Sequence, residues 1–167
     1  RVVTVERAEN RNQLAAVLSP QVAQLAGGYD YVLAPSTTFG KDLLPRVAAL
    51  LGVGQISDLM HVDGPRSFRR PIYAGNAVTS LEVPEGRKIL ATVRTASFKP
   101  AAAGPPAPVT AITVDASLPQ HTRFLELRSG AGTTRPDLQT ARIVISGGRG
   151  IGSAENFALL YRLADRI

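Results

Sequence analysis

The hydrophobic positions of the first part of the chain alternate between strand-like and helix-like spacing. The β-branched run Val2–Val5 predicts a buried strand, and the apolar residues of 12–26 recur at near-helical intervals. Ser19 followed by Pro20 is typical of an N-cap and the first residue of a helix, so we expect a break within this helix.

A second strand at 31–34, a second amphipathic helix over 39–51 and a third strand over 55–62 follow in order. Pro45 lies inside the helical pattern and predicts either a late start or a bent first turn. Strand, helix, strand, helix, strand is the order typical of a parallel α/β sheet.

The pattern changes after residue 64, where short apolar runs are separated by glycine and proline turns. We expect three strands joined as an antiparallel hairpin or meander, over 70–73, 77–83 and 88–95. Residues 99–108, with four prolines, predict an exposed loop. Two more strands are expected at 109–114 and 124–127.

The end of the chain contains the pattern of a βα unit. Arg142–Ser146 predicts a buried strand, 147–150 a tight glycine loop, and Ser153 the cap of a helix with Phe157 on its apolar face. One strand and one helix cannot enclose a core, so either this segment packs onto the first domain or the chain continues after Ile167. We favour continuation.

The predicted fold class is therefore α/β. It combines a mostly parallel sheet flanked by helices, an added antiparallel hairpin region, and the first βα unit of a second α/β domain. We place the N-terminal α/β domain at 1–130, a linker at 131–138, and the start of the second domain at 139–167.

Composition narrows the classes of function. The 167 residues are 44% apolar and 19% charged, contain no cysteine, and have no apolar run near the roughly 18 residues that a membrane span needs. Disulfide scaffolds, cysteine zinc sites and thiol nucleophiles are excluded. The net charge of +6 comes mainly from arginines scattered along a chain with few aromatic residues, which does not favour nucleic acid as a partner.

The glycine loop is the main candidate for chemistry. Unpaired backbone N–H groups and a positive helix end make such a loop an anion site; Gly148 and Gly150 allow close approach of a phosphate, and Arg149 adds a planar cation. The loop matches neither common phosphate motif, because Ser153 replaces the third glycine of a dinucleotide fingerprint and a P-loop lysine is missing. A turn that only connects strand to helix stays open as an alternative.

No catalytic set emerges elsewhere in the sequence. His61 and His121 lack metal-ligating neighbours at a suitable spacing. Four carboxylates that an acid–base mechanism would use are interpreted as solvated charges: Asp42, Asp58, Glu82 and Glu85. Two further segments suit a turn, a partner contact or a ligand edge, with turn chemistry preferred: Phe39-Gly40-Lys41 and Tyr73-Ala74-Gly75-Asn76.

Several motifs occur in series between about residues 30 and 165. They are Thr38–Ala49, Ile56–Asp58, Arg70–Ala77, Val93–Phe98, Arg135–Leu138, Ile145–Gly150 and Glu155–Phe157. In order and spacing this series resembles the alpha subunits of the electron-transfer flavoproteins.

The resemblance implies an electron carrier that is not an enzyme. Family members are heterodimers of alpha and beta subunits, with FAD in the alpha C-terminal domain and AMP in the beta subunit. They pass electrons from flavin dehydrogenases, notably the acyl-CoA dehydrogenases of fatty acid β-oxidation, to a membrane quinone oxidoreductase. The implied location is the bacterial cytoplasm or the mitochondrial matrix, with no nucleic-acid partner and no membrane insertion.

The family's site residues are carried over only where this sequence matches. The resemblance makes Arg149 an FAD contact and gives Gly148 and Gly150 the role of shaping its loop. The family's first strand and helix and its later flavin motifs have no counterpart here, so we expect an N-terminal domain incomplete at its start and a fragment that retains FAD poorly.

Two other classes stay open. A nicotinamide-dependent oxidoreductase would need an acidic ribose-binding residue and a catalytic acid or base. A nucleotide-binding α/β module would bind free ATP or AMP through residues 1–130.

Overall fold

The computed structural model describes residues 1–127, 135–136, 138 and 141–167. Contacts divide the chain into two units, Arg1–Phe124 and Leu125–Ile167. Most of the linker predicted over 131–138 lies outside the described residues, so the proposed domain boundaries stay a prediction.

The regular elements of the described residues are eight strands and three α-helices. In chain order they are β1 (Val2–Val5), α1 (Ala15–Leu25), β2 (Tyr31–Pro35), α2 (Thr38–Leu51), β3 (Gln55–Leu59), β4 (His61–Val62), β5 (Ser67–Ile72), β6 (Ala77–Glu82), β7 (Ile89–Val93), β8 (Val109–Ile112) and α3 (Phe157–Ala164).

The strands form three small sheets in the first unit. β2, β7 and β3 are parallel, with β7 in the centre. β4, β5 and β6 form an antiparallel sheet whose long hairpin pairs Ser67 with Glu82 and Ile72 with Ala77. β1 and β8 make a separate parallel pair. The predicted fold class, α/β with a parallel sheet, flanking helices and an antiparallel hairpin, is confirmed.

The core lies on both faces of the central strand. Four consecutive residues of β7, Ile89–Thr92, are buried. On one face Leu90 packs with α1 and α2 through Ala15, Leu44 and Val47. On the other face Ile89 and Ala91 pack with β3 and the antiparallel sheet through Ile56, Leu59, Phe68 and Leu81.

The placement of β7 corrects the sequence prediction. We expected 88–95 to belong to an antiparallel meander, but β7 is parallel to both of its neighbours. The reason is burial: a strand covered on both faces has a continuous apolar run, and central strands of parallel sheets have this composition.

Both prolines within helices lie further inside than predicted. α1 is continuous across Pro20, and Ser19 donates its hydroxyl to the carbonyl of Ala15, so the predicted break and cap are wrong. α2 begins at Thr38, with the Thr37 hydroxyl accepting from the Gly40 N–H at 3.2 Å. Pro45 lies within α2, on its exposed face.

Three predicted strands differ in the structure. The strand over 55–62 is divided, because Asp58 has a left-handed backbone (φ 59°) and the residues after Leu59 join the antiparallel sheet. Neither 124–127 nor 142–146 forms a strand among the described residues. Apolar sequence alone is insufficient there, because a strand needs a hydrogen-bonded neighbour. The loop over 99–108 is exposed, as predicted.

Candidate functional site

The carboxyl ends of the parallel strands bring polar side chains together. Ser36 follows β2, Asp58 lies near the end of β3, and Arg94 follows β7. The Ser36 hydroxyl donates to Asp58 Oδ1 at 2.9 Å, and Arg94 donates from Nε to Oδ2 at 3.1 Å and also from its terminal Nη2. The backbone N–H of Asp58 donates to the Thr92 hydroxyl at 2.9 Å. One carboxylate therefore joins the ends of three strands.

Hydrogen bonding keeps Asp58 ionised. The pKa of Asp58 is lowered, mainly because the Arg94 guanidinium donates to its carboxylate, and the Ser36 hydroxyl and the nearby Lys41 charge act in the same direction. Partial burial opposes these effects. Because both carboxylate oxygens already accept hydrogen bonds, Asp58 stabilises the sheet edge and is unsuited to abstract a proton.

This cluster corrects one sequence interpretation. Asp58 was expected to be a solvated charge, but its side chain is only 22% exposed and paired. The other three carboxylates, Asp42, Glu82 and Glu85, are exposed, as predicted. The parallel pairing of β2, β7 and β3 is the signal that could have identified this cluster, since residues that follow adjacent parallel strands meet at one edge of the sheet.

The glycine turn of the second unit is tightly packed on one side. A Cβ atom at Gly147 would lie 2.6 Å from Leu160 Cδ1 in α3 and 2.7 Å from Ile151 Cγ1 in the turn, so a larger residue would displace these two side chains. Arg149–Ile151 form a single 3₁₀ turn, and Gly152 has a left-handed backbone (φ 84°).

The other side of the turn is open. A Cβ atom at Gly148 or Gly150 would meet no atom within 4 Å among the described residues. The backbone N–H groups of Gly148, Arg149 and Gly150 donate to no main-chain carbonyl in this part of the chain. Arg149 is exposed and forms no ion pair with any described residue. Free donors, open space and an unpaired guanidinium fit a phosphate or another anionic group.

The helix that follows starts later than predicted. Asn156, rather than Ser153, occupies the N-cap position of α3, and its side-chain amide donates to the Ile151 carbonyl at 2.8 Å. The Ser153 hydroxyl bonds instead to Glu155 and lowers the pKa of that exposed carboxyl. The first N–H groups of α3, including that of Phe157, bond to carbonyls three residues earlier. The free donors are therefore those of the turn.

A groove of about 600 Å³ lies beside the turn in the same unit. Its walls are mainly apolar and include Ile143, Ile145, Phe157 and Leu160. At one end, the Arg135 guanidinium lies 5.0 Å from the centre of the Tyr161 ring and pairs with Asp165. Sequence reasoning singled out 135–138 only as a motif and missed these contacts; Asp137 of that motif lies outside the described residues.

The described residues were also searched for a metal site and for a membrane-spanning helix. Over the residues that the structure describes, no three His, Cys, Asp or Glu side chains are placed to hold a metal ion. His61 lies 3.4 Å from an oxygen of Asp63. In the same described ranges, no helix has the length and apolar character to cross a membrane.

The fold and the site define an α/β protein whose second unit carries an open glycine turn with an unpaired arginine, suited to an anionic ligand. The family model described as the electron transfer flavoprotein domain matches residues 1–118. The chain belongs to the electron transfer flavoprotein family, so the resemblance noted from the sequence motifs is confirmed.

Relatives of the chain carry consistent names. It is 42% identical over 168 residues to the electron transfer flavoprotein subunit alpha of Pseudomonas aeruginosa, covering 100% of this chain and 53% of that protein. Identity to the subunit alpha of Paracoccus denitrificans is 41% over 167 residues, which cover 100% of this chain and 53% of that protein. Identity to the mitochondrial subunit alpha of Oryza sativa subsp. indica is 43% over 150 residues, which cover 86% of this chain and 42% of that protein. The chain spans about half the length of the first two relatives.

Proposed function

We propose that this chain is part of the alpha subunit of a heterodimeric electron carrier that holds FAD. The observation that supports the proposal most is the open turn at Gly148, Arg149 and Gly150, in a chain of the electron transfer flavoprotein family. The proposed carrier performs no substrate chemistry of its own. Bound FAD would supply the redox step, since a flavin accepts and returns electrons reversibly.

The residues of the turn would bind and tune the cofactor. The free N–H groups of Gly148 and Gly150 would donate to an anionic oxygen, and Gly147 would keep the turn against Leu160. The Arg149 guanidinium would add positive charge, which favours an anionic, reduced flavin over a neutral one.

The proposed partners follow the family. The beta subunit would complete the heterodimer and carry AMP. Flavin dehydrogenases, among them acyl-CoA dehydrogenases, would donate electrons, and a membrane quinone oxidoreductase would accept them. The location would be the cytoplasm in a bacterium and the mitochondrial matrix in a eukaryote.

Electron transfer in the intact complex tests this proposal. The full-length alpha chain is co-expressed with its beta subunit and mixed with an acyl-CoA dehydrogenase that its substrate has reduced. We expect the flavin absorbance of the complex to bleach and then to recover when a quinone oxidoreductase and quinone are added. A colourless complex that takes hydride directly from a nicotinamide would contradict the proposal and support the alternative oxidoreductase.

A further inference from the structure

The helix α3 is short and contributes little to its own position. It has eight residues, none of them buried, whereas isolated helices shorter than about 12 residues are marginal in water. Its N-cap residue, Asn156, makes no side-chain bond to the helix. The Asn156 amide donates instead to the Ile151 carbonyl, in the turn before the helix, at 2.8 Å. Contacts from other parts of the second unit must therefore hold α3 in place.

Arg135 makes three such contacts at the C-terminal end of α3. Its Nη2 atom donates to the Tyr161 carbonyl at 3.3 Å and to the Asp165 carboxylate, and its guanidinium lies 5.0 Å from the centre of the Tyr161 ring. Tyr161 and Asp165 lie 26 and 30 residues after Arg135, so one side chain joins distant parts of the chain. The last carbonyls of a helix carry partial negative charge and can accept further hydrogen bonds, so a guanidinium there is stabilising.

The contacts of Arg135 with Tyr161 matter more than its ion pair. The Asp165 side chain is 61% exposed, and an ion pair so exposed contributes little. A planar guanidinium can cover the Tyr161 ring while its N–H groups stay directed at acceptors beside the ring. A lysine ammonium cannot make both contacts at once, so this arrangement requires arginine.

The residue before Tyr161 connects α3 to the glycine turn. Leu160 packs so closely on Gly147 that a Cβ atom at Gly147 would lie 2.6 Å from Leu160 Cδ1. Because Leu160 and Tyr161 are adjacent in one helix, fixing Tyr161 also fixes Leu160 against the turn. The open side of the same turn carries the free N–H groups and the guanidinium of 148–150. The contacts that start at Arg135 therefore end at the proposed anion site.

We propose that Arg135 is a positioning residue for FAD binding. It holds α3 where Leu160 packs on Gly147, and so keeps the donors of 148–150 directed at one anionic group of the cofactor. This inference rests on the proposed function, which supplies FAD as the ligand. The Arg135 guanidinium is already bound to Tyr161 and Asp165, so it contributes geometry rather than charge at the turn. Donors that are fixed before binding lose little conformational entropy, so a displaced turn should release FAD faster.

FAD release from the full-length heterodimer tests this role. The rate is followed by the rise of flavin fluorescence as FAD leaves the protein, for Arg135→Met and for the matched control Arg162→Met, an exposed arginine of α3. Methionine keeps an apolar stem and removes the charge and the N–H donors. A residue that acts through intervening contacts changes binding by roughly two- to thirtyfold. We expect release about five to ten times faster for Arg135→Met and less than about twofold faster for Arg162→Met.

A double-mutant cycle separates positioning of the turn from general stability. In the Arg149→Ala background, part of what Arg135 positions is missing. The effect of Arg135→Met on FAD release should therefore fall there to less than about threefold. Two independent effects would multiply instead.

Two conservative variants set the expected order of release rates. Arg135→Lys keeps the ion pair but loses the planar group over the Tyr161 ring, so its rate should lie between those of wild type and Arg135→Met. Asp165→Asn removes only the exposed ion pair and should change the rate less than about threefold.

Four results would decide against the proposals. Folded complexes of Arg135→Met and Arg135→Lys that release FAD no faster than Arg162→Met would overturn the inference and leave the proposed function intact. A lower melting temperature with unchanged release would do the same, because Arg135 would then only stabilise the fold. Effects of Arg135→Met and Arg149→Ala that multiply would show that Arg135 does not act through the turn. A wild-type heterodimer without FAD would overturn the inference and the proposed function together.

Discussion

Replacing Asp58 by asparagine should loosen the carboxyl edge of the parallel sheet. Asparagine has nearly the same size and tolerates the left-handed backbone of this position, so the substitution removes charge without adding backbone strain. It leaves the Arg94 guanidinium without its anionic partner and gives the Ser36 hydroxyl a weaker acceptor.

The expected loss follows from the exposure of the two side chains. A hydrogen bond to a charged group contributes about 1.5–3 kcal/mol when buried, and an exposed ion pair about 1 kcal/mol or less. The side chains of Asp58 and Arg94 are 22% and 42% exposed, so the pair lies between these limits. We expect Asp58→Asn to lower the free energy of unfolding by about 1–2 kcal/mol, and the melting temperature by about 3–6 °C.

The pH dependence gives a second test. The folded pKa of Asp58 lies below its unfolded value. Its contribution is therefore fully present above the unfolded pKa of about 4 and is lost as pH falls through the folded pKa. Urea unfolding at about pH 6 should separate wild type from variant, and the difference should shrink near pH 3.

Asp42→Asn is the matched control for this experiment. Asp42 lies on the exposed face of α2, so its replacement should change stability by less than about 0.5 kcal/mol. In a double-mutant cycle, Arg94→Met combined with Asp58→Asn should cost less than the sum of the two single changes. Equal effects of Asp58→Asn and Asp42→Asn, or a difference that persists in acid, would refute the role assigned to Asp58.

Two core substitutions test the packing around α2. Gly40→Ala should destabilise the chain by about 1–3 kcal/mol, the reverse of the usual gain for alanine in a helix, because its Cβ would lie 2.0 Å from the Pro35 carbonyl oxygen. The control in urea unfolding is Gly27→Ala, whose Cβ would meet no atom of the described residues within 4 Å. An equal loss of stability in the two variants would contradict the close approach of Gly40 to Pro35. Leu44→Ala should cost about 2–5 kcal/mol by the same measurement, since Leu44 is 1% exposed, and a loss below about 1 kcal/mol would show a loosely packed face.

Local sequence patterns predicted the elements of the first unit better than their pairing. The spacing of apolar residues identified β1, β2, both helices and the β5–β6 hairpin, because each pattern reflects one buried face. The position of β7 depends on contacts between residues far apart in sequence. Its continuous apolar run is a signal for a central strand, but short apolar runs occur in both kinds of sheet.

The candidate sites were likewise predicted where their residues are adjacent in the sequence and missed where they are far apart. The glycine turn at 147–150 was visible because its residues are adjacent in the sequence. The Ser36, Asp58 and Arg94 cluster was missed because its members are joined only by the parallel order of three strands. Ser153 was misassigned as a cap because Asn156, three residues later, competes for that position.

Flavin content of the intact heterodimer tests the central proposal most directly. Arg149→Ala is compared with wild type and with Arg162→Ala, an exposed arginine of α3 in the same unit. We expect about one FAD per wild-type and control complex, and for Arg149→Ala either less than about half of that or a lower flavin potential. Equal flavin content and potential in all three complexes would remove Arg149 from the site, and a wild-type complex without flavin would contradict the proposed electron carrier.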